Sequence, residues 1–385
     1  MQSEGEITAW HYQTQQPVCV RWREGRLTEV LAATTTPPKD LWVAPGLFDL
    51  QVNGFAGVDF QQDGLQEEEL LTAARGLHRH GCNRFLLTLI TDSWPRLTSR
   101  LRHLRKLRAG CPELESAIAG WHVEGPFLSD EPGFHGAHDR ELMLDPRPEH
   151  VRELRELTGQ DPLLLTVAPE RKGAIEAISL AHSLGIRISL GHTNASAARL
   201  QEAVSAGATG FTHLGNGCSA LLERHDNILW RVLETPGLIV SLIPDRTHVS
   251  PALFRIIHRQ LGGNSICYVT DSMAAGGSGP GRYRLGTLDL EVGEDRVVRQ
   301  PGSPYLAGSA LNPAEGVQFA AQMLNCPWQD CWRRLSDQPA RFMGLPSGLA
   351  PGDSLDACLI RVGPGGKGLR LQPFINRHSD SKPRR

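Results

Sequence analysis

Eight short apolar segments recur along the chain, separated by stretches with helical periodicity such as 66–80, 96–108 and 172–185. Each apolar segment has the length of a buried strand. The segments are 47–52, 84–90, 117–123, 163–168, 186–190, 208–211, 238–243 and 266–270. Such repeated alternation is typical of a (β/α)8 barrel of the TIM type, with an open doubly wound sheet as the alternative. We favour the barrel because polar residues follow many of the segments, whereas an open sheet would gather them at one switch point.

The two ends of the chain have a different character. Segments 17–23 and 26–32 alternate in polarity around a turn at Glu24 and Gly25, which predicts an antiparallel hairpin, and 348–362 reads as a turn followed by a strand. We therefore expect both termini to form one small β-sandwich domain beside the barrel. The predicted bounds are 1–44 and 346–376 for the small domain, 45–345 for the barrel and 377–385 for a disordered tail.

Composition restricts the class of protein and its location. The 385 residues are 40% hydrophobic and 21% charged, which is typical of a soluble globular protein. A formal net charge of −2 argues against nucleic-acid or membrane-surface binding. There is no apolar run of membrane-spanning length, and the first ten residues lack a signal-peptide pattern. The eight cysteines are scattered without a CxxC pair, so we expect reduced thiols and a cytoplasmic location.

Two histidines stand at the ends of consecutive apolar segments, His192 after 186–190 and His213 after 208–211. Between them Asn194 or Ser196 can cap a helix over 197–206, which Gly207 closes. Because the carboxyl ends of parallel strands meet at one edge, the two imidazoles should lie side by side where α/β proteins place their chemistry.

Carboxylates follow the third and the eighth segments. Glu124 completes a set of two histidines and one glutamate on three different strands, which suits Zn²⁺ or a similar divalent ion and leaves one coordination position open. Asp271 follows the last segment. A carboxylate beside a divalent ion stays ionised, so it can accept a proton from an attacking water and pass it to a leaving group. These parts predict hydrolysis of an amide or a related bond.

Eight motifs in order carry a family resemblance. They are PGLFDLQVNGFAGVDF (45–60), HVEGPFLS (122–129), HGAHD (135–139), TVAPE (166–170), SLGHTNAS (189–196), FTHLGNG (211–217), VTDSMAAGGSGPG (269–281) and LAGSAL (306–311). Together they resemble the N-acetylglucosamine-6-phosphate deacetylases of the amidohydrolase superfamily, over residues 44 to 345 and into the small β domain. The resemblance implies a metal-dependent (β/α)8 barrel that removes acetate from the sugar phosphate, usually as a homodimer.

The resemblance also implies roles for individual residues. Glu124, His192 and His213 fall on the family's metal ligands, and Asp271 falls on its catalytic acid/base. His138 matches a histidine near the reaction centre, which makes it a second catalytic candidate, and Arg224 matches an arginine that reaches the phosphate, across the dimer interface in one reading. The implied substrate-binding residues are Ala137, His138, Asn216, Gly217, Arg224, His248, Leu306, Ala307 and Gly308.

The sequence departs from the family pattern at three places. Gln51 and Asn53 stand where many amidohydrolases have a His-x-His pair, and we interpret them as the remnant of a second metal site. Since amides bind Zn²⁺ poorly, one tightly held ion per chain is expected, with Zn²⁺ favoured over Fe²⁺, Co²⁺ or Mn²⁺. In HLGNG, Gly215 and Gly217 remove side chains beside the sugar. The segment SLIPDRTHVS lacks the usual glycine-containing run, so Arg246 is a candidate to enter the site.

The sequence therefore predicts hydrolysis of the acetamide of N-acetylglucosamine 6-phosphate to glucosamine 6-phosphate and acetate. Three alternatives stay open at this point. They are deacetylation of a related sugar (N-acetylgalactosamine 6-phosphate or an unphosphorylated hexosamine), another amidohydrolase reaction on a cyclic amide or amine, and a non-catalytic binding protein that kept the barrel. The expected partners are a small amino-sugar phosphate and a second copy of the chain, without nucleic acid or membrane.

Overall fold

The computed structural model describes residues 4–302, 306–363 and 368–373, so the predicted tail at 377–385 lies outside the described residues. The strands are β1 (Glu4–His11), β2 (Pro17–Arg23), β3 (Arg26–Ala32), β4 (Leu41–Pro45), β5 (Leu47–Val52), β6 (Gly54–Phe55), β7 (Val58–Asp59), β8 (Cys82–Ile90), β9 (Ile118–Glu124), β10 (Leu163–Val167), β11 (Arg187–Leu190), β12 (Gly210–Phe211), β13 (Ile239–Leu242), β14 (Ile266–Tyr268), β15 (Gly281–Leu285), β16 (Leu288–Val292), β17 (Val298–Arg299), β18 (Ala357–Val362) and β19 (Leu369–Pro373). The helices are α1 (Glu67–Arg79), α2 (Trp94–Gly110), α3 (Pro112–Ala117), α4 (Pro148–Thr158), α5 (Ala174–Ser183), α6 (Ala197–Ser205), α7 (Ile228–Glu234), α8 (Pro251–Leu261), α9 (Pro313–Leu324), α10 (Trp328–Trp332) and α11 (Asp337–Met343), with short 3-10 helices at Arg140–Leu142 and Arg333–Leu335.

Eight parallel strands form the central sheet, in the order β14-β13-β12-β11-β10-β9-β8-β5. The two outer strands of this order meet through a parallel bridge between Val52 and Ser272 and through a buried carboxylate. Asp49 accepts hydrogen bonds from the backbone N and the hydroxyl of Thr270, the latter at 2.6 Å. Burial raises the pKa of Asp49 to about 7. All eight predicted segments fall on these strands, and the (β/α)8 prediction is confirmed.

Helices between the strands follow the predicted periodicity. The segments 66–80, 96–108 and 172–185 correspond to α1, α2 and α5. At the start of α6 the cap is Ser196, whose hydroxyl accepts a hydrogen bond from the backbone N of Arg199, so the structure selects the second of the two predicted caps. Within the described residues, no helix has both the length and the apolar character needed to span a bilayer.

A six-stranded sheet joins the two ends of the chain, in the order β19-β18-β4-β1-β2-β3. The predicted hairpin is present as β2 and β3, and its turn contacts the C-terminal segment through a hydrogen bond from Leu355 N to Gly25 O. Strand β18 pairs with β4. A separate sheet built from both termini is thus confirmed, while the residue bounds of the domains stay a prediction.

A small three-stranded antiparallel sheet, β15 to β17, lies in sequence between the last barrel strand and α9. Its buried side chains, such as Leu285 and Leu290, pack with Met273 and Ala307 in one apolar cluster. The sheet therefore supports the loop that follows the eighth strand, which carries Asp271.

Candidate active site

Three side chains from different strands converge at the carboxyl end of the barrel. Glu124 ends β9, and His192 and His213 follow β11 and β12. One ligand atom from each lies within 4.8 Å of the others, and all three residues are buried. His213 Nε2 lies 2.7 Å from Glu124 Oε1, and His192 Nε2 lies 3.5 Å from the same oxygen. The expected side-by-side placement of the imidazoles is present, with ring centroids 4.9 Å apart.

The chemistry of this set fits a divalent cation. His192 Nδ1 lies 3.0 Å from the backbone carbonyl O of Phe134, which can accept its proton and leave the lone pair on Nε2. Burial opposes charge on both Glu124 and His213, but their mutual attraction prevails. It lowers the pKa of Glu124 well below its usual range and raises the pKa of His213. Two imidazoles and a carboxylate are common ligands of a catalytic metal, so the group can hold one.

The backbone at the site adopts conformations that side chains other than glycine rarely take. His192, His213 and Asp271 have φ angles of 48°, 31° and 51°. Such strain persists only where the surrounding structure imposes it, and it is typical of functional sites. The imidazole of His192 is also confined on two sides, since a Cβ at Gly136 or at Gly217 would lie 2.9 or 2.8 Å from ring atoms. The orientation of His192 thus depends on the absence of side chains at these glycines.

Asp271 lies buried beside the three converging side chains. Its Oδ1 accepts a hydrogen bond of 2.7 Å from the side-chain amide of Asn53. Burial and the negative charge of Glu124 raise the pKa of Asp271 to about 6. The backbone carbonyl O of Asp271 accepts from Ser309 N at 2.8 Å, which ties the loop to the segment that follows Gly308. Burial therefore makes this carboxyl a weaker acid than a free aspartate, and the group can exchange a proton.

Gln51 supports the other carboxylate. Its side-chain Nε2 donates to Glu124 Oε2 over 3.0 Å, so that Oε1 remains the oxygen facing the histidines. Gln51 lies in the first barrel strand, β5, and Asn53 directly follows that strand. Among the described residues, Glu124, His192 and His213 are the only group of three or more His, Cys, Asp or Glu side chains placed to hold a metal. The amides of Gln51 and Asn53 serve here as hydrogen-bond donors to carboxylates.

His138 reaches the same centre from the loop after β9. Its Nε2 lies 3.9 Å from Glu124 Oε2, and its Nδ1 lies 2.8 Å from the hydroxyl of Thr91. Burial, reinforced by the neighbouring His192, lowers the pKa of His138 to about 3. The imidazole is therefore neutral, and the Thr91 hydroxyl can donate to Nδ1 in the tautomer that carries the ring proton on Nε2, the nitrogen nearer Glu124.

Further predicted residues surround this centre. Asn216 N donates to the carbonyl O of His213 at 2.9 Å, and His248 Nδ1 contacts Asp245 Oδ2 at 2.6 Å. Electrostatic interaction with His213, and to a smaller extent with His248, lowers the pKa of Asp271 and partly offsets burial. Ala137 and Ala307 pack in the apolar cluster beside the loop of Asp271, and the remaining positions Leu306 and Gly308 flank Ala307.

Two arginines make no contact with these groups among the described residues. Arg224 is exposed, and no hydrogen bond or ion pair of its side chain occurs within the described part of the chain. Arg246 lies over the ring of Phe319, 4.2 Å from its centroid, and bonds the side chain of Gln322. The guanidinium of Arg246 therefore stacks on α9, and its entry into the site stays a prediction.

Sequence reasoning missed several residues that shape the site. Thr91 follows β8, so the rule that chemistry gathers at strand ends could have identified it. Phe134 contributes only a backbone carbonyl, and Gly136 contributes only the absence of a side chain. A pattern of side chains in the sequence does not predict the role of a backbone carbonyl or of a missing side chain.

Comparisons with known proteins give consistent results. No family model matches the chain. The N-acetylglucosamine-6-phosphate deacetylase of Vibrio furnissii is 30% identical over 308 residues, which cover 80% of this chain and 75% of the relative. The protein of the same name from Homo sapiens is 32% identical over 314 residues, covering 79% and 75%.

Solved structures resemble the fold closely. A mutant of the N-acetyl-D-glucosamine-6-phosphate deacetylase from Mycobacterium smegmatis, in complex with N-acetyl-D-glucosamine-6-phosphate, is 30% identical with a TM-score of 0.82, covering 93% of this chain and 95% of that chain. The N-acetylglucosamine-6-phosphate deacetylase from Pasteurella multocida is 23% identical with a TM-score of 0.85, covering 97% and 98%, and this likeness concerns the fold alone.

Proposed function

The chain belongs to the family of N-acetylglucosamine-6-phosphate deacetylases, and from this premise we propose that it hydrolyses the acetamide of N-acetylglucosamine 6-phosphate. The products are acetate and glucosamine 6-phosphate, and the reaction belongs to amino-sugar breakdown in the cytoplasm. The observation that carries the proposal is the convergence of Glu124, His192 and His213 beside Asp271 at one end of the barrel. We further propose that the three ligands hold one Zn²⁺ per chain, since imidazole and carboxylate suit that ion.

The ion, when bound, polarises the acetamide carbonyl and lowers the pKa of a water beside it. The residues of the chain control where that ion and the substrate lie. Glu124 Oε1 and the Nε2 atoms of the two histidines supply the ligand atoms. Gln51 holds the second oxygen of Glu124, and the carbonyl of Phe134 fixes the ring of His192. This support keeps the ligand set rigid during turnover.

Asp271 handles the protons of the reaction. The attacking water must lose a proton, and the departing amine must gain one, so one carboxylate can accept the first and donate the second. Burial raises the pKa of this carboxyl to about 6, a bound cation opposes that rise, and Asn53 stabilises the ionised form that starts the cycle. The pKa of a catalytic group is most effective when it lies near the working pH.

His138 stabilises the charge that develops on the substrate. The imidazole is neutral, and the contact of Nδ1 with Thr91 directs the proton on Nε2 toward the carbonyl oxygen or a sugar hydroxyl. Preorganised donors of this kind act strongly in a buried site because no solvent reorganisation is needed. His248 and Asn216 lie on the surrounding loops and contact the sugar.

Arg224 binds the phosphate, and the active species is a homodimer. The guanidinium is exposed and unpaired in the described chain, so it is free to form a bidentate contact with a phosphate. Leu221 and Trp230, on the same segment, are 90% and 44% exposed. Exposed large apolar side chains of this kind favour an interface between copies, and such an interface would carry Arg224 toward the site of the partner subunit.

Steady-state assays of the purified enzyme test the function. N-acetylglucosamine 6-phosphate, its galactose epimer and the two unphosphorylated sugars are compared by kcat/KM, with released acetate as the readout. We expect the phosphorylated glucose epimer to be the best substrate by at least about tenfold, the scale of one lost charge-assisted contact. Faster release from another of the four sugars would reassign the substrate, and no release from any would refute the deacetylase.

A further inference from the structure

A second cleft lies on the barrel, apart from the candidate active site. It has a volume of about 380 Å³ and lies between the second half of α8 and the segment from Leu324 to Arg334. Four arginines line it, Arg255, Arg259, Arg333 and Arg334, together with a single carboxylate, Asp330. The cleft is therefore strongly positive, and the volume is in the range of small-molecule sites.

Among the described residues, none of the four arginines makes a direct ion pair with a carboxylate, although Asp330 shares the lining and Arg333 interacts electrostatically with Asp337. Arg255 Nη1 contacts the backbone carbonyl O of Met323 at 3.3 Å, and Arg333 Nη2 contacts the side-chain oxygen of Asn264 at 2.6 Å. Arg334 donates to the backbone carbonyl of Asp330, while its Nε is buried with no partner. These contacts to neutral oxygens position the guanidinium groups, and the cleft keeps a net positive charge because its lining holds four arginines and one carboxylate.

The cleft lies at the opposite end of the barrel from the catalytic centre. Helix α8 begins near His248 at the carboxyl ends of the strands and runs about 16 Å toward their amino ends. Arg255 and Arg259 are one turn apart on its second half, so they share a face. Asn264, which contacts Arg333, precedes the first residue of β14. A molecule in this cleft would not touch Asp271 or the groups around it.

We propose that this cleft binds a small anion that carries two or more linked phosphate groups. Guanidinium groups bind phosphate oxygens through paired hydrogen bonds, and four of them drawn from two segments that face each other suit several oxygens at once. Repulsion among the four guanidinium groups is unfavourable, and a bound polyanion would replace that repulsion with attraction. His258, also in the lining, does not add charge, because burial and the neighbouring Arg334 lower its pKa to about 3.

Cys326 provides a reporter inside the cleft. Its Sγ lies 3.6 Å from Cys331 Sγ, and this thiol contact lowers the pKa of Cys326. Cys326 is partly exposed, whereas Cys331 is buried. The thiolate of Cys326 should therefore react with iodoacetamide, and an anion in the cleft should slow that reaction by covering the sulfur and by screening the arginines.

Titration calorimetry with inorganic pyrophosphate tests the proposal on the full-length, metal-loaded enzyme. The double variant Arg255→Gln/Arg259→Gln removes two charges from the cleft. Arg102→Gln, at an exposed position on α2, is the matched control. We expect saturable binding that weakens at least about tenfold in the double variant and is unchanged in the control. Iodoacetamide labelling of Cys326, read by peptide mass spectrometry, should slow in the presence of pyrophosphate in the wild type and in the Arg102→Gln control, but not in the double variant.

Three results would overturn the proposal. The first is no saturable binding at millimolar pyrophosphate, and the second is equal binding by the double variant and the wild type, as removal of a metal ion by pyrophosphate would give. The third is competition with glucosamine 6-phosphate, which would place the pyrophosphate in the catalytic site. Deacetylation without pyrophosphate should be normal in the double variant, so the test is independent of the proposed function.

Discussion

The side-chain amide of Asn53 donates a hydrogen bond of 2.7 Å to Oδ1 of Asp271. Asn53 directly follows the first barrel strand, and Asp271 lies in the loop after the last one. Gln51, two residues earlier, makes the corresponding contact with Glu124. One short segment of the first strand thus supports both a metal-ligand candidate and the candidate general base. In the proposed single-metal site, both amides act as hydrogen-bond donors to carboxylates.

Replacing Asn53 by alanine should slow the reaction and shift its pH dependence. Asp271 must be ionised to accept a proton, so activity falls as pH drops through its pKa, which burial raises to about 6 and a bound cation would lower. The bond from Asn53 favours the ionised form. Its loss should move the acidic limb of kcat/KM to higher pH and reduce kcat by about tenfold or more, the scale of a bond to a charged group. Asn83→Ala, at a buried amide away from the site, is the control, and an unmoved limb would show that Asn53 does not act on Asp271.

The barrel was predictable because eight buried strands leave a strong periodic signal, and the site was predictable because parallel strands present their ends at one edge. The metal-ligand candidates and Asp271 all follow such strands. The features that were not predicted do not depend on buried strands or on strand ends. The carbonyl of Phe134 comes from a loop whose path depends on tertiary packing, and the strands β15 to β17 are short and half-exposed, with little apolar periodicity. Arg246 was predicted near the site from the sequence, and its guanidinium stacks on the aromatic ring of Phe319 on α9, a contact that the sequence does not indicate.

The purified enzyme should hold close to one divalent ion per chain. His192→Ala removes one of three ligand atoms and should reduce the metal content to a small fraction of the wild-type value, with activity lost in parallel. His182→Ala, at an exposed histidine on α5, is the matched control. Elemental analysis by mass spectrometry supplies the measurement. An active preparation without metal, or two ions per chain, would contradict the single-metal assignment.

A methyl group at position 217 should disturb the metal site through His192. In Gly217→Ala the new Cβ would lie 2.8 Å from Nδ1 of His192, so the ring must move. Gly185→Ala is a control of the same kind, because Gly185 also has a positive φ angle, of 71°, but open space around it. In both variants, placing an alanine at a positive φ angle costs about 1–2 kcal/mol of folding free energy. Only Gly217→Ala should also lose metal affinity, by about tenfold or more, as titration with a competing chelator would show. Equal metal affinity in the two variants would mean that the loop around position 217 moves and the ring of His192 does not.

Arg224→Ala should lower kcat/KM for N-acetylglucosamine 6-phosphate by about tenfold or more and leave the unphosphorylated sugar nearly unchanged. Equal losses on both substrates would instead assign Arg224 to the fold. Mixed dimers then show which subunit supplies the arginine. If Arg224 acts across the interface, combining Arg224→Ala chains with Asp271→Asn chains should restore about half of the sites in each mixed dimer. No restoration would place the arginine in the site of its own chain.

Asp271→Asn isolates proton transfer from every other role of this residue. The amide keeps the size of the carboxyl group and retains an oxygen for the bond from Asn53, so the variant should fold, bind one metal ion and bind substrate. It cannot accept the proton of the attacking water, and kcat should fall by roughly 10²–10⁴, the range for a lost general acid–base. Single-turnover kinetics with substrate in excess over KM, together with metal analysis and substrate titration of the same sample, separate chemistry from binding. The acidic limb of the wild-type profile should also disappear from the residual rate, because the group that titrates there is gone. A variant with near-normal kcat would transfer the role to another group, and His138, whose Nε2 lies 3.9 Å from Glu124, would be tested next.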